Sequence, residues 1–366
     1  MKVLQNLLLV ALSILGGVIV IEGVLYIADP FEIRVSADKI TLPVGRVYEF
    51  RNATASPNMD ADIVHRKNRL GFRGEDWPRQ PERREKWIFV GGSTTESFYF
   101  NQDDTWVDQV FRHQKTRHPH LWVNNAGLDG HSSFGHVVLT EGFLIDLKPQ
   151  KIFYLVGIND VGYDAPNSYD GRLETGEAED WFRRSTQIGK LITVIKRASK
   201  AKSFGLTHDF TGDWANALAH SGRVELSSRE REAVLTSHRD VYLPSYRQRV
   251  ETLIDMTLKN GIEPVLITQP ALFGPATDPA TGHDLGRVQQ ALGLDGTTRW
   301  QVLEEYNDAV RSLAKQRNVA VIDLARTMPK DTRLYYDWIH YNKAGQAEVA
   351  KIVNEALDAL YQSPLP

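Results

Sequence analysis

From Trp87 onward, five short apolar runs alternate with stretches whose apolar residues recur at helical spacing, and this rhythm points to a parallel sheet with helices on both faces. The runs are WIFVGG, LWVNNAG, KIFYLVGIND, IEPVLITQP and VAVIDLA. The third is almost wholly apolar as far as Gly157, as expected of a central strand covered on both sides. Helices are predicted over 104–115, with Trp106, Val107, Val110 and Phe111 on one face, and over 134–147, 246–260, 299–317 and 343–360. Residues 162–240 break the rhythm with the polar, turn-rich NSYDGRLETGEAED and read as an insertion, with helices at 188–198 and 226–236.

Upstream, residues 3–21 run for 19 positions without a charge, between Lys2 and Glu22. At ~1.5 Å per residue such a helix is about 29 Å long, close to the thickness of a bilayer core. The reading is a transmembrane anchor or signal segment over 1–24, with Lys2 on the cytoplasmic side. A stalk or cap follows over 25–85, with weak strand signals at 32–40 and 45–52. Residues 86–366 form the catalytic domain, which this orientation places in the periplasm or outside the cell. The absence of cysteine excludes a disulfide scaffold, a thiolate metal site and a cysteine nucleophile. A net charge of -3 with acids and bases mixed gives no basic patch for nucleic acid.

In sheets of this kind, sites lie beyond the carboxyl ends of the strands. There the chain carries Gly91-Gly92-Ser93-Thr94-Thr95-Glu96, then Asn125-Ala126-Gly127-Leu128-Asp129-Gly130-His131-Ser132, then Gly157-Ile158-Asn159-Asp160, and near its end Asp337-Trp338-Ile339-His340. Each block alone is an ordinary turn. Together they supply what acyl transfer needs: Ser93 as nucleophile, His340 as the base that takes its proton, and Asp337 to fix the imidazole tautomer. Amides at Ser93, Gly130 and Asn159 receive the oxyanion. The three-residue step from Asp337 to His340 lets one tight turn present both acid and base.

These four blocks, in this order, resemble the SGNH (GDSL-like) hydrolase superfamily. The resemblance implies a flavodoxin-like, three-layer α/β/α fold with a five-stranded parallel sheet, an ester or acyl-bearing substrate, and no metal or other cofactor. It also implies that the Ser93 and Gly130 backbone amides and the Asn159 side chain donate to the oxyanion. One departure is Gly92, where the family carries an acid. A second is Asn68-Arg69-Leu70-Gly71-Phe72-Arg73-Gly74, which looks like a segment of a membrane-anchored branch with a Gly-Gly-Ser-x-Thr block.

Four more residues are candidates for substrate contact or support. Arg73 either holds a substrate carboxylate at the pocket rim or pairs with a neighbouring acid. His131 either lines the pocket or braces its loop, and Asp160 orients the Asn159 loop. Gln269 either touches substrate or caps its turn. His113, His118 and His120 lie close in sequence, but no carboxylate joins them at ligand spacing. The expected function is hydrolysis of an ester, with a short acyl group preferred and a carbohydrate or lipid as possible alcohol. Two other readings stay open: an O-acyltransferase acting on envelope carbohydrate with the same triad, and a catalytically silent envelope scaffold.

Overall fold

The structure is a computed structural model that describes residues 5, 6, 13, 16–24, 42–51, 59–166, 170, 208 and 210–361. Two compact units divide the chain: Met1–Ala37 with Leu173–His208, and Asp38–Arg172 with Asp209–Pro366. In the first unit, residues 16–24 are helical, with Val18, Ile19, Val20, Ile21 and Val24 exposed. Among the described residues no helix is long and apolar enough to cross a membrane. Most of the 3–21 segment lies outside the described residues, as do the strand expected at 32–40, the helix expected at 188–198 and much of the 162–240 insertion.

The second unit is built on a six-stranded sheet. Its strands are β3 (Arg73–Gly74), β4 (Glu85–Gly91), β5 (Leu121–Asn125), β6 (Lys151–Leu155), β7 (Glu263–Ile267) and β8 (Ala320–Ile322), and their spatial order is β3-β5-β4-β6-β7-β8. Five of these strands are parallel, in the flavodoxin-like order in which the chain starts near the middle and reverses direction once. The expected five-stranded parallel sheet is therefore a mixed sheet of six. The sixth strand is the two-residue β3, antiparallel to β5, which pairs Arg73 with Asn125 and Gly74 with Asn124. Two residues are too few to leave a period-2 pattern in the sequence. Upstream of it, β1 (Val47–Arg51) and β2 (Asp62–Arg66) form a separate antiparallel ribbon.

Helices cover both faces. The short α1 (Ser93–Glu96) follows β4, and α2 (Trp106–Gln114) crosses over to β5. After β5 comes α3 (Ser133–Leu139), which widens into a π-turn at Thr140–Leu144 and ends through a 3-10 turn at Ile145–Leu147. The inserted region contributes α4 (Trp214–His220) and α5 (Ser228–Ser237). Then α6 (Leu243–Lys259) leads into β7, and α7 (Gly296–Arg317) into β8. The chain closes with α8 (Leu324–Thr327) and α9 (Lys343–Tyr361). On one face α2 packs against α9; on the other, α6 packs against both α3 and α7.

β4 shows why both layers are needed. Trp87, Ile88, Phe89 and Val90 are all buried, so the residues on each side of the pleat need an apolar partner. Phe89 stacks on Phe153 of β6 at 4.2 Å, and Trp106 of α2 meets Phe89 edge-on at 5.3 Å. With the strands locked in this way, their carboxyl ends line up, and the turns that follow them converge.

Candidate active site

Ser93 is the first residue of α1, directly after the Gly91-Gly92 turn that ends β4. Its Oγ lies 2.7 Å from His340 Nε2, although the two residues are 247 positions apart. On the far side of the ring, His340 Nδ1 lies 2.6 Å from Asp337 Oδ2, which makes Nδ1 the donor and leaves Nε2 facing the serine. Both Ser93 and His340 are recessed, 6% and 7% exposed.

The acid–base turn holds itself together. Asp337 Oδ1 accepts the backbone N–H groups of Ile339 at 2.8 Å and His340 at 2.7 Å. Tyr336 N–H donates to the His340 carbonyl at 3.0 Å, and a bridge pairs Tyr335 with Tyr341 across the turn. Burial alone would push the Asp337 carboxyl up. The His340 imidazole and the two backbone N–H donors outweigh it and hold the group below the ordinary carboxylate range. The Tyr336 ring lies parallel to the imidazole, 6° off and 5.4 Å away, so the ring plane of His340 is set by packing as well as by Asp337. Trp338 and Ile339 pack against the small cluster of Ala271, Phe273 and Leu303.

The expected anion site is assembled from two loops. Gly130 has φ +71, a left-handed conformation that only glycine adopts without strain, and it turns the chain just after Asp129. The next residue, His131, receives the Asn159 side chain: Nδ2 donates to the His131 carbonyl at 2.9 Å. Asn159 also presses on the Gly91-Gly92-Ser93 turn. A Cβ at Gly92 would sit 2.2 Å from Asn159 Nδ2. With the Asn159 amide in this position, a side chain at residue 92 would have to displace it.

The remaining sequence candidates fall around the site rather than in it. His131 contributes its carbonyl; its ring is buried, and burial pushes its pKa down to about 3. Asp160 is buried too and accepts Ser133 N–H at 3.1 Å, Ser133 Oγ–H, and Arg249 Nη2 at 3.2 Å, tying the Asn159 turn to the start of α3. Burial raises its carboxyl to about 6, against the pull of Ser133 and Arg249. Gln269 is 1% exposed; its Oε1 accepts Thr94 Oγ1–H at 3.1 Å, and its Nε2 donates to the Pro270 carbonyl. It braces the residue beside Ser93 and is turned away from solvent.

Arg73 departs furthest from the pocket-rim reading. It is fully buried under the turn that carries Ser93, where it donates to the carbonyls of Glu96 at 3.1 Å, Ser97 at 2.5 Å and Phe100 at 2.7 Å. Burial lowers its pKa to about 10, with Glu96 and Asp108 opposing the shift. Sequence reasoning also passed over Glu96, Lys67 and His65, which lie buried together beneath α1. A charged residue three positions after Ser93, on one turn of helix, was the signal the sequence held of that cluster.

The family model described as GDSL-like Lipase/Acylhydrolase family matches residues 89–348. Among solved structures, an acetylxylan esterase from Geobacillus stearothermophilus is 18% identical, with a TM-score of 0.41 over 75% of this chain and 93% of its own. LAE5, an alpha/beta hydrolase enzyme from the metagenome of Lake Arreo, is 15% identical, with a TM-score of 0.41 over 75% and 94%. A putative lipolytic protein of the G-D-S-L family from Desulfitobacterium hafniense is 12% identical, with a TM-score of 0.40 over 74% and 99%. No curated protein matches the chain.

Proposed function

Since the chain belongs to the GDSL-like lipase/acylhydrolase family, we propose that it is a serine esterase in which Ser93, His340 and Asp337 act as nucleophile, base and orienting acid. The observation that carries this reading is the unbroken line from Ser93 Oγ through the imidazole to the Asp337 carboxylate, with links of 2.7 and 2.6 Å. Ser93 Oγ attacks the acyl carbon, and its proton passes to His340 Nε2. The imidazolium that forms is stabilised by Asp337, which stays ionised. Charge developing on the carbonyl oxygen is taken by the Ser93 and Gly130 amides and by the second N–H of Asn159 Nδ2, whose first is committed to His131. His340 then protonates the leaving alcohol, and water activated by the same imidazole releases the acid.

A short acyl group suits a serine and histidine recessed between closely packed turns. The uncharged 3–21 segment supports a tethered protein whose esterase domain works beside a membrane, outside the cytoplasm. A panel of p-nitrophenyl esters from acetyl to palmitoyl, run on wild type and Ser93→Ala, tests the reading. Turnover is expected to be highest for the shortest esters and to vanish in the variant. Turnover that survives the substitution would remove Ser93 from the mechanism.

A further inference from the structure

Directly beneath the nucleophile turn lies a buried ionic cluster that the reaction as described does not use. Glu96 is the last residue of α1, one helical turn from Ser93, and it is 4% exposed. A carboxylate at that depth is costly unless charge and hydrogen bonds compensate it. Its Oε1 lies 2.5 Å from Lys67 Nζ, itself buried, and 3.6 Å from His65 Nε2. Its Oε2 accepts the backbone N–H of Asp129 at 2.6 Å. One side chain thus joins three distant segments: Lys67 just after β2, the turn that carries Ser93, and the loop that carries Gly130.

That loop is also the seat of the Asn159 amide, through the His131 carbonyl. Other contacts also dock it on the turn that carries Ser93. Leu128 N–H donates to the Gly91 carbonyl at 3.0 Å, and Gly127 lies so close that a Cβ there would be 2.4 Å from Glu96 N. Both precede Gly130 by two residues or more, whereas the Glu96 carboxylate holds the residue immediately before the left-handed turn. Lys67 fixes the orientation of that carboxylate and also reaches the Gly127 carbonyl, at 3.4 Å.

We propose that Glu96, held by Lys67, is a positioning residue for the esterase reaction: it clamps the Asp129 amide and so sets the 129–131 segment, with the Asn159 amide seated on it, in register with Ser93. This rests on the assignment of Ser93 as nucleophile. Oxyanion donors act only at about 2.7–3.1 Å from the point where the negative charge forms. An error in loop register therefore appears in the transition state rather than in substrate binding, as lower kcat at unchanged KM.

Removing either charge alone strands the other in the interior, so the test removes both. In a full-length Lys67→Met background, Glu96→Gln keeps an acceptor for Asp129 N–H and offers a donor to His65 Nε2. Glu96→Met keeps the bulk and has no comparable acceptor; Glu96→Leu serves in its place if that variant melts early. With melting temperatures matched, the Gln variant is expected to exceed the apolar one in kcat on p-nitrophenyl acetate by about tenfold or more, at equal KM. Amide hydrogen exchange at 129–131 should be faster in the apolar variant only, with exchange in α9 unchanged. Equal kcat, or a difference confined to KM, would overturn the clamp. Ser93→Ala in the same assay separates the two possible failures. If it is inactive while the Gln and apolar variants agree, only the clamp falls; if it stays active, the nucleophile assignment falls and the clamp with it.

Discussion

The two halves of the proposed catalytic centre are held in different ways. The Asp337–His340 turn is organised mainly from within: the Asp337 carboxylate accepts three hydrogen bonds from residues two and three positions on, and a remote backbone bond runs from Leu272 N–H to the Trp338 carbonyl at 2.9 Å. The Ser93 turn is held by remote residues. Arg73 takes three of its carbonyls, Gln269 takes the Thr94 hydroxyl from 175 positions away, and Lys67 pairs with Glu96. A base must keep one tautomer and one ring plane, which a local turn provides. A nucleophile must sit at a fixed distance from donors on two other strand ends, which only tertiary structure provides.

The largest effect expected from breaking the local half comes from Asp337→Asn. It retains the shape of the turn but no longer selects the tautomer with Nδ1–H, and kcat should fall by about 10⁴-fold with little change in melting temperature. A loss under tenfold would mean that the fold alone orients His340. On the remote half, Arg73→Met should act on stability first. Three carbonyls lose their donor in the interior, at a cost of about 3–5 kcal/mol, read from denaturant unfolding with the slope unchanged. Destabilisation below about 1 kcal/mol would show that water or rearrangement replaces it.

Between the halves stands Asn159. Gly92→Ala should displace its amide and lower kcat by about 10²-fold, and adding Asn159→Ala should cost little more, because both changes remove the same donor. Fully additive losses would separate the two residues. The smallest effect concerns pH. Asp160 is raised to about 6 in the fold, above its unfolded value of ~3.9. The folded state therefore holds the proton longer, and this residue's contribution to stability declines as pH rises from about 4 to 6. Asp337 is shifted the other way; its contribution is present above the unfolded value and is lost as pH falls below it. Asp160→Asn should flatten the decline between pH 4 and 6 in melting experiments, and an unchanged slope would assign it to another group.

The same division explains how much of the molecule was legible in its sequence. The five parallel strands left apolar runs, and Asp337 and His340 advertised themselves by spacing, because their geometry is local. β3 left no trace, being two residues long and defined by its partner. Arg73 was visible as a charge, but its burial depends on a turn that follows a different strand. Gly92 was visible as a departure, but nothing in the sequence placed the Asn159 amide in the space beside it. Glu96 could be noticed on its helix turn; nothing in sequence tied it to Lys67 or to the Asp129 amide, since those contacts exist only once the ribbon of β1 and β2 and the strand-end loops have come together.

The central claim, that Ser93 is the nucleophile activated by His340, is tested most directly by a serine-reactive phosphonate followed by peptide mass spectrometry. One adduct on the peptide carrying Ser93 is predicted, absent from Ser93→Ala and much slower to form in His340→Ala. An adduct that persists in Ser93→Ala, or that maps to another serine, would contradict it.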